Sequence, residues 1–241
     1  MTKTLTDIQA FQGHEKVPRG DSCLPPKPRR FLALAQLFLL ECLNPDRRGF
    51  PLYFRPSDLP QWFRENRFWG RIPTPVPPPR PWLNYDLVDW VERLRPRTVL
   101  EWGSGGSTLW FSKICERMVS VEDDAGWYEA VLASLPTGLG NQVELSLFNN
   151  EQDYLSGLDA FAASRPDLIL IDGSWRVACL EASLSSLRAG SFVVIHDSNH
   201  PEIMRALGRL GEEFFRQDRF GPCFGVKNFR AWTLLRRRQS A

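Results

Sequence analysis

The C-terminal two thirds of the chain alternates short apolar runs with segments whose apolar residues recur at helical spacing. Residues 168–171 and 192–195 are continuous apolar runs, which are typical of central parallel strands covered on both faces. Between them, Val177 and Leu180 share one helical face, and Gly190 is expected to stop the helix. Strands that alternate with helices predict an α/β fold with a doubly wound, mostly parallel sheet.

The other elements of this domain follow from the same two periods. Strands are expected at 98–102, 119–122, 143–147 and 229–235, and helices at 87–94, 110–115, 127–135 and 154–162. In the strand at 143–147, apolar positions alternate with polar ones, which indicates that one of its faces is exposed.

The first 81 residues lack the alternation of strand and helix patterns and are interpreted as an N-terminal extension. Residues 1–28 are polar and without a period, which predicts a flexible arm. Residues 46–70 mix arginines with many aromatic rings, which indicates a segment that packs onto either the main domain or a substrate, and we expect the main domain. Prolines crowd residues 73–81, which predicts a stiff connector before a domain at 82–241.

The apolar stretch at residues 31–43 is open to three interpretations. It is about 13 residues long, whereas a membrane span needs about 20. A twin arginine before it resembles an export signal, but Gln36 and Glu41 interrupt the run and no small-x-small cleavage site follows. We therefore expect a buried or docking helix that ends near Asn44 and Pro45, and no membrane span.

Composition narrows the class of protein without naming it. Hydrophobic residues make up 43% of the 241 residues and charged residues 24%, which is ordinary for a globular protein. The formal net charge of +2 gives no reason to expect a nucleic-acid partner. Five scattered cysteines without a CxxC pair indicate neither a zinc site nor a disulfide framework, so a reducing, cytoplasmic setting is expected.

The turn after the first predicted strand carries the first candidate chemistry, in the sequence EWGSGGST at residues 101–108. Glycines let the backbone approach a ligand closely, and Ser107 or Thr108 can cap the following helix. A dinucleotide site requires a third glycine at position 108, so an NAD-dependent oxidoreductase is the least favoured enzyme. An acid two residues before the first glycine, Glu101, suits a ligand that carries an ammonium group instead.

This pattern resembles the first motif of class I S-adenosylmethionine-dependent methyltransferases, in the variant whose third glycine is replaced by Ser-Thr. The resemblance covers about residues 85–236. It implies a Rossmann-like fold with a doubly wound, mostly parallel seven-stranded sheet, S-adenosylmethionine (SAM) as cofactor and a small-molecule acceptor. The cofactor-binding residues that it implies are Glu101, Gly103, Ser104, Gly105, Ser107, Thr108, Glu122, Asp123, Asp153, Asp172 and Gly173.

Two of these positions keep a structural alternative. Glu122 ends the second strand, where this family binds ribose hydroxyls with a carboxylate; the alternative is an acid that caps the next helix together with Asp123 and Asp124. Asp153 follows the third strand, where the family contacts the adenine amine, but it is equally a helix-start residue.

A second acidic corner follows the fourth and fifth strands, at Asp172-Gly173 and His196-Asp197. It resembles the branch of small-molecule O-methyltransferases that includes Mg²⁺-dependent enzymes, which implies Asp172 and Asp197 as metal ligands. The match is partial, because Ser198 intervenes where metal-dependent members have Asn or Asp.

Without a metal, methyl transfer needs correct alignment and one general base. The candidates are His196, His200 and above all Asp197; the alternatives are a packed strand end for His196 and a helix cap before Pro201 for His200. Arg176 is expected at the mouth of the crevice, either to bind an anionic acceptor or to pair with an acid.

These observations predict SAM-dependent methyl transfer to a hydroxyl of a small molecule or sugar. Two alternatives stay open: a catalytically silent methyltransferase-like scaffold, and transfer of an aminopropyl group from the decarboxylated cofactor. For the N-terminal region, an acceptor lid and a surface for homo-oligomer formation are both open.

Overall fold

The computed structural model describes residues 27–66, 81–138, 142–163, 165–226 and 228–238. Within these ranges, one sheet contains seven strands in the order β3-β2-β1-β4-β5-β7-β6. The strands are β1 (Thr98–Trp102), β2 (Arg117–Glu122), β3 (Val143–Leu147), β4 (Leu168–Ile171), β5 (Phe192–His196), β6 (Phe214–Gly221) and β7 (Arg230–Arg237). The first five are parallel, and β7 runs antiparallel to both β5 and β6. The predicted fold is confirmed.

Helices cover both faces of this sheet. They are α1 (Lys27–Cys42), α2 (Asp58–Asn66), α3 (Tyr85–Leu94), α4 (Gly106–Phe111), α5 (Ala125–Ser134), α6 (Glu151–Leu155), α7 (Arg176–Ser186) and α8 (Pro201–Leu207). The helix predicted at 154–162 begins earlier, at Glu151, and continues as a 3-10 helix over Ser156–Phe161.

Alternate residues of one strand face opposite layers of the core. In β4, Leu168 and Leu170 pack with α3 and α4, whereas Ile169 and Ile171 pack with α7 and α8. Every residue of this strand is buried, because both of its faces are covered. The continuous apolar run therefore reflects a strand that is covered on both faces, as the sequence predicted.

The strand order reverses between β1 and β4. From β1 the chain continues outward through β2 to β3 on one side, and through β4 and then β5 on the other. Helices that follow these strands diverge at this point, so a crevice forms beyond the carboxyl ends of β1 and β4.

The aromatic segment before the connector packs onto the antiparallel end of the sheet. Phe50 and Trp62 belong to a buried cluster with Phe220 and Phe229. The backbone also pairs there, because Tyr53 N donates to the carbonyl of Phe220 at 2.8 Å. The expectation that these rings pack onto the main domain is confirmed for residues 50–63, and the proline run at 73–79 lies outside the described residues.

Helix α1 is longer and less buried than expected. It begins at Lys27, so residues 27 and 28 of the predicted arm are helical, and residues 1–26 lie outside the described ranges. Phe38 packs on Trp62 and Phe229, with ring centroids 5.6 and 5.2 Å apart. The opposite face is exposed, so the buried interpretation holds for one face only. No helix of the described residues is long and apolar enough to cross a membrane.

Replacing Trp62 with alanine tests whether the N-terminal segment stabilises the sheet. Trp62 is fully buried, so the Trp62→Ala variant should lower the free energy of unfolding by about 3–5 kcal/mol, measured by urea denaturation. Leu132→Ala, at a side chain that is 46% exposed, is the control and should cost less than about 1 kcal/mol. A loss of similar size in both variants would show that this segment adds nothing to the stability of the sheet.

Candidate functional site

Two glycines bring the turns after β1 and β4 into direct backbone contact. Gly103 has a φ of +99°, and a Cβ atom there would lie 2.5 Å from both the Cα and the N of Gly173. A Cβ atom at Gly173 would collide with the hydroxyl of Tyr154 and lie 2.7 Å from Gly103 Cα. Both positions therefore require glycine, one for its conformation and both for the close approach.

Glu101 lies beneath the glycine turn and does not line a cavity. It is fully buried, and its Oε2 accepts hydrogen bonds from Thr108 Oγ1 at 2.6 Å and Ser120 Oγ at 2.7 Å. Its Oε1 has no hydrogen-bond partner among the described residues. Burial raises the pKa of Glu101 to about 7, against the lowering effect of the hydroxyls around it.

Thr108 connects this acid to the turn. Its Oγ1 accepts a hydrogen bond from Gly105 N at 2.8 Å and donates its proton to Glu101. Thr108 thus holds the start of α4, as expected for a capping residue, and Ser107 is buried beside it.

The carboxylate of Glu122 is saturated by hydrogen bonds at the edge of the crevice. Oε2 accepts from the N and Oγ of Ser104 at 2.9 and 2.7 Å, and Oε1 accepts from the N of Asp123 and Asp124 at 3.0 Å each. Asp124, rather than Glu122, caps α5, through a bond from Trp127 N. Asp123 accepts a bond from the hydroxyl of Ser174 at 2.8 Å, which ties β2 to the turn after β4.

The second acidic corner is assembled as the sequence suggested. Asp172 follows β4 directly and His196 ends β5, and Asp172 Oδ1 lies 3.1 Å from His196 Nδ1. His196 is buried, and its Nε2 has no hydrogen-bond partner among the described residues. Burial disfavours the imidazolium, but the charges of Asp172 and Asp197 outweigh it, so the pKa of His196 is raised.

Asp197 is held by two arginines. Its carboxylate lies 3.3 Å from Arg230 Nη1 and 3.7 Å from Arg176 Nη1. Burial acts to raise its pKa, but His196, Arg230 and Arg176 together lower the pKa of Asp197 below its ordinary value. Its φ of +52° is unusual for a residue other than glycine, a strain that is often stored at functional sites.

Arg176 joins the ends of β4 and β5 from within the crevice. Its Nε, Nη2 and Nη1 donate to the carbonyl oxygens of Gly173, Asp172 and His196 at 2.8, 2.9 and 2.8 Å. The same guanidinium lies 3.5 Å from Asp172 Oδ1. Arg176 therefore pairs with acids, which is one of its two predicted roles, and its three bonds to carbonyl oxygens also order the site.

Two adjoining cavities open at this edge of the sheet. The smaller, about 440 Å³, is lined by the glycine turn, Glu122, Asp123, Trp127, Asp172, Gly173, Ser174 and His196. The larger, about 900 Å³, is lined among others by Asp46, Arg48, Glu151, Trp175, Glu181, His200, Glu202 and Ile203. Arg176, Asp197 and Arg230 line both, so the cavities meet at the charged cluster beside His196.

The remaining predicted residues lie at helix starts. Asp153 and Asn150 form a reciprocal pair at the beginning of α6, with Asp153 N donating to Asn150 Oδ1 at 3.0 Å and Asn150 Nδ2 to Asp153 Oδ2 at 2.7 Å. Asp153 does not line the smaller cavity, and its contact with adenine stays a prediction. His200 is the N-cap residue before Pro201, and its side chain makes no capping bond.

Two contributors escaped the sequence analysis. Trp127 Nε1 donates to the carbonyl of Ser104 at 2.7 Å and so fixes the glycine turn, although its spacing indicated only a packed helical face. Arg230 begins β7, which reaches the crevice because β7 is antiparallel to β5. Arg230 could have been placed at the site only if the antiparallel direction of β7 had been known, because that direction puts the start of β7 at the same edge as the end of β5.

Glu101→Gln removes the titration of the buried acid. The folded-state pKa of about 7 lies above the ordinary 4.5, so the folded state binds this proton more tightly than the unfolded state. The stability that Glu101 contributes is therefore complete below pH 4.5 and is lost as the pH rises through 7. Between pH 5 and pH 8, the free energy of unfolding of the variant should rise relative to that of the wild type by up to about 3 kcal/mol, measured by urea denaturation. A difference that does not change with pH would contradict this assignment.

Solved structures with the same architecture are methyltransferases. The O-methyltransferase TomG from Streptomyces achromogenes, involved in tomaymycin synthesis and solved in complex with SAM, matches with a TM-score of 0.53 and 18% identity, over 78% of this chain and 92% of TomG. An O-methyltransferase from Bacillus cereus, solved in complex with SAH, matches with a TM-score of 0.53 and 17% identity, over 89% of this chain and 93% of that one. No protein-family model and no curated protein sequence matches the chain. The chain therefore has the fold of class I SAM-dependent O-methyltransferases.

Proposed function

We propose that this protein transfers the methyl group of SAM to a hydroxyl of a small molecule. The observation that carries the proposal is the junction of two cavities at a charged cluster next to one histidine. The smaller cavity is bordered by the glycine turn at the switch point of the sheet, and the larger opens beside it; Arg176, Asp197 and Arg230 line both. His196 lines the smaller cavity next to this cluster, and its buried Nε2 has no hydrogen-bond partner among the described residues.

The smaller cavity fits an amino-acid nucleoside in size and lining. Its volume of about 440 Å³ falls within the range of about 300–1,000 Å³ that is typical of ligand sites. Gly103 and Gly105 present backbone to the cavity, and Gly105 has open space on its Cβ side apart from Trp127 at 3.7 Å. These two glycines would hold the methionine portion.

Glu122 would hold the ribose. A carboxylate has about four acceptor positions, and all four are used by Ser104, Asp123 and Asp124. A ribose hydroxyl must therefore replace the hydroxyl of Ser104, which can rotate away while Ser104 N keeps its bond. Glu101 would support the turn from below through Thr108 rather than contact the ligand directly.

SAM, when bound, supplies a methyl group on a sulfonium, which is already a good leaving group. The chain then has to align an acceptor oxygen and remove its proton. Of the three candidate bases, His196 is best suited, because Asp172 orients its ring and Nε2 is unpaired. Asp197 is a weaker base, because its pKa is lowered and two arginines already hold its carboxylate.

The residues do not fit a Mg²⁺ ion. Among the described residues, Asp172, His196 and Asp197 bring possible ligand atoms within 4.8 Å of one another. Mg²⁺ binds through carboxylate oxygens and water, but here Arg176 lies 3.5 Å from Asp172 Oδ1 and Arg230 lies 3.3 Å from Asp197 Oδ1, so both carboxylates already pair with cations that would repel a metal ion. Ser198 is buried against Thr233 and contributes no further oxygen to the cluster. The proposed chemistry is therefore independent of a metal.

A second candidate reaction is favoured by the charge of the larger cavity. Asp46, Glu151, Glu181 and Glu202 line it in addition to Asp197, more acids than the sequence alone indicated for this crevice. Carboxylates suit an acceptor that carries an amine, as in aminopropyl transfer. Mass spectrometry of the product distinguishes the two reactions, because a methyl group and an aminopropyl group add different masses.

Gly105→Ala tests the cofactor site. The added Cβ has room in the folded protein, with Trp127 at 3.7 Å, so the variant should fold with unchanged stability to within about 1 kcal/mol. The methyl group would occupy space that the ligand needs, so calorimetry should show SAM binding weakened about tenfold or more. The control is Leu132→Ala, at an exposed side chain that lines neither cavity, which should bind SAM like the wild type. If the wild-type protein does not bind SAM at about 1 mM, the proposed cofactor is wrong.

His196→Gln tests the proposed base, with an acceptor found by screening hydroxyl compounds for SAH formation. The variant should lose about 10²–10⁴ in kcat and retain its affinity for SAM, measured in buffer with EDTA. Because the pKa of His196 is raised, kcat of the wild type should rise with pH to a plateau above 6.5, and this rise should vanish in the variant. His200→Gln should lose less than about tenfold. Activity that appears only with added Mg²⁺, or an equal loss in both variants, would refute the assignment.

A further inference from the structure

Helix α1 has two apolar faces, and the fold uses only one. Its inner face contributes Leu34, Leu37, Phe38 and Cys42 to the cluster around Trp62. Its outer face carries Leu32, Leu39 and Leu40, which are 60, 62 and 66% exposed, and Leu43, which directly follows the helix, is 80% exposed. With Gln36, these residues recur at helical spacing and form one stripe, called here the outer stripe.

The outer stripe is unusual within the described chain. The other exposed large apolar side chains there are 37–47% exposed, and they lie in separate elements. Single exposed leucines are ordinary on a protein surface, but four on one stripe form a patch that normally covers or contacts something.

Basic residues lie at both ends of this stripe. Lys27, Arg29 and Arg30 precede it, and Arg47 and Arg48 follow it. Residues 27–48 contain two acids. Glu41 is buried on the inner side, where Oε2 accepts a hydrogen bond from Phe229 N at 2.9 Å, and Asp46 lies beyond the helix. Along residues 27–48, an apolar centre is thus flanked in the sequence by basic residues on both sides.

This charge pattern disfavours a second copy of the chain as the occupant. Two such segments packed in parallel would bring equal ends of the sequence together, and packed antiparallel they would bring the basic segment before the stripe towards the basic segment after it. Either arrangement sets like charges against each other, which costs affinity. Four leucines also supply less than the area of about 800 Å² per partner that a stable protein interface buries.

We propose that the outer stripe docks on the surface of an anionic lipid bilayer, with α1 lying in the plane of the interface. Apolar side chains would enter the acyl boundary, where a buried leucine contributes about 1.5–3 kcal/mol. Each flanking Lys or Arg adds about 1 kcal/mol near anionic headgroups. Residues 27–48 provide both contributions, because leucines lie in the middle of this segment and basic residues lie on either side of them.

Docking also places the bilayer near the larger cavity. Leu43 ends the stripe, and Asp46, which lines that cavity, follows three residues later, at most about 11 Å along the chain. This geometry does not depend on the proposed methyl transfer, so the two proposals can fail separately.

Vesicle flotation of the full chain tests the docking surface. The wild-type protein should float with vesicles of phosphatidylcholine and phosphatidylglycerol, and more weakly with phosphatidylcholine alone or in high salt. The double variant Leu39→Gln, Leu40→Gln keeps helix propensity and adds no charge, and its bound fraction should fall about tenfold or more. Leu132→Gln, at the exposed leucine of α5, is the matched control and should float like the wild type.

Light scattering and SAM calorimetry on the same variants separate the alternatives. The proposal expects a monomer without lipid, and unchanged circular dichroism and SAM affinity in the double variant. A dimer that the double substitution dissociates, with no flotation of the wild type, would assign the stripe to a second copy and overturn the proposal. Equal flotation of the wild type and the double variant would overturn it as well.

Discussion

The site depends on one backbone contact, between Gly103 after β1 and Gly173 after β4. The two turns approach so closely that a side chain on either residue would overlap the other strand's backbone. Because these strands flank the point where the sheet order reverses, their contact closes the floor of the crevice. Ser174 and Asp123 then tie the turn after β4 to the end of β2, and the smaller cavity lies among these three strand ends.

Charge balance is the second constraint on this site. Asp172 and Asp197 are buried enough to be costly alone, and Arg176, Arg230 and His196 offset them within about 4 Å. Arg176 contributes most to the geometry, because its three bonds to carbonyl oxygens hold β4 and β5 together. The positive charge of this cluster comes from side chains, and the buried Nε2 of His196 has no hydrogen-bond partner among the described residues.

The structure could be predicted from the sequence where a single physical requirement determines the residue type. Leu168–Ile171 could be recognised as a central strand because both faces of such a strand must be apolar. The acids after β4 and β5 could be placed together because parallel strands end at one edge. Arg230 could not be placed, since the alternation in its strand says nothing about direction. The sequence around Glu101 does not distinguish an acid that contacts a ligand from one that supports the turn from below. Helix α1 has leucines on both faces, so its sequence does not reveal which face is buried.

A crystal structure with SAH tests the central claim most directly, because it shows where the nucleoside binds, whereas an affinity measurement shows only that it binds. The account expects SAH in the smaller cavity, with its ribose hydroxyls within hydrogen-bond distance of Glu122, the Ser104 hydroxyl displaced, and the sulfur facing His196. A nucleoside bound elsewhere, with Ser104 still on Glu122 and the cavity beneath Gly103 and Gly105 filled by side chains, would contradict it.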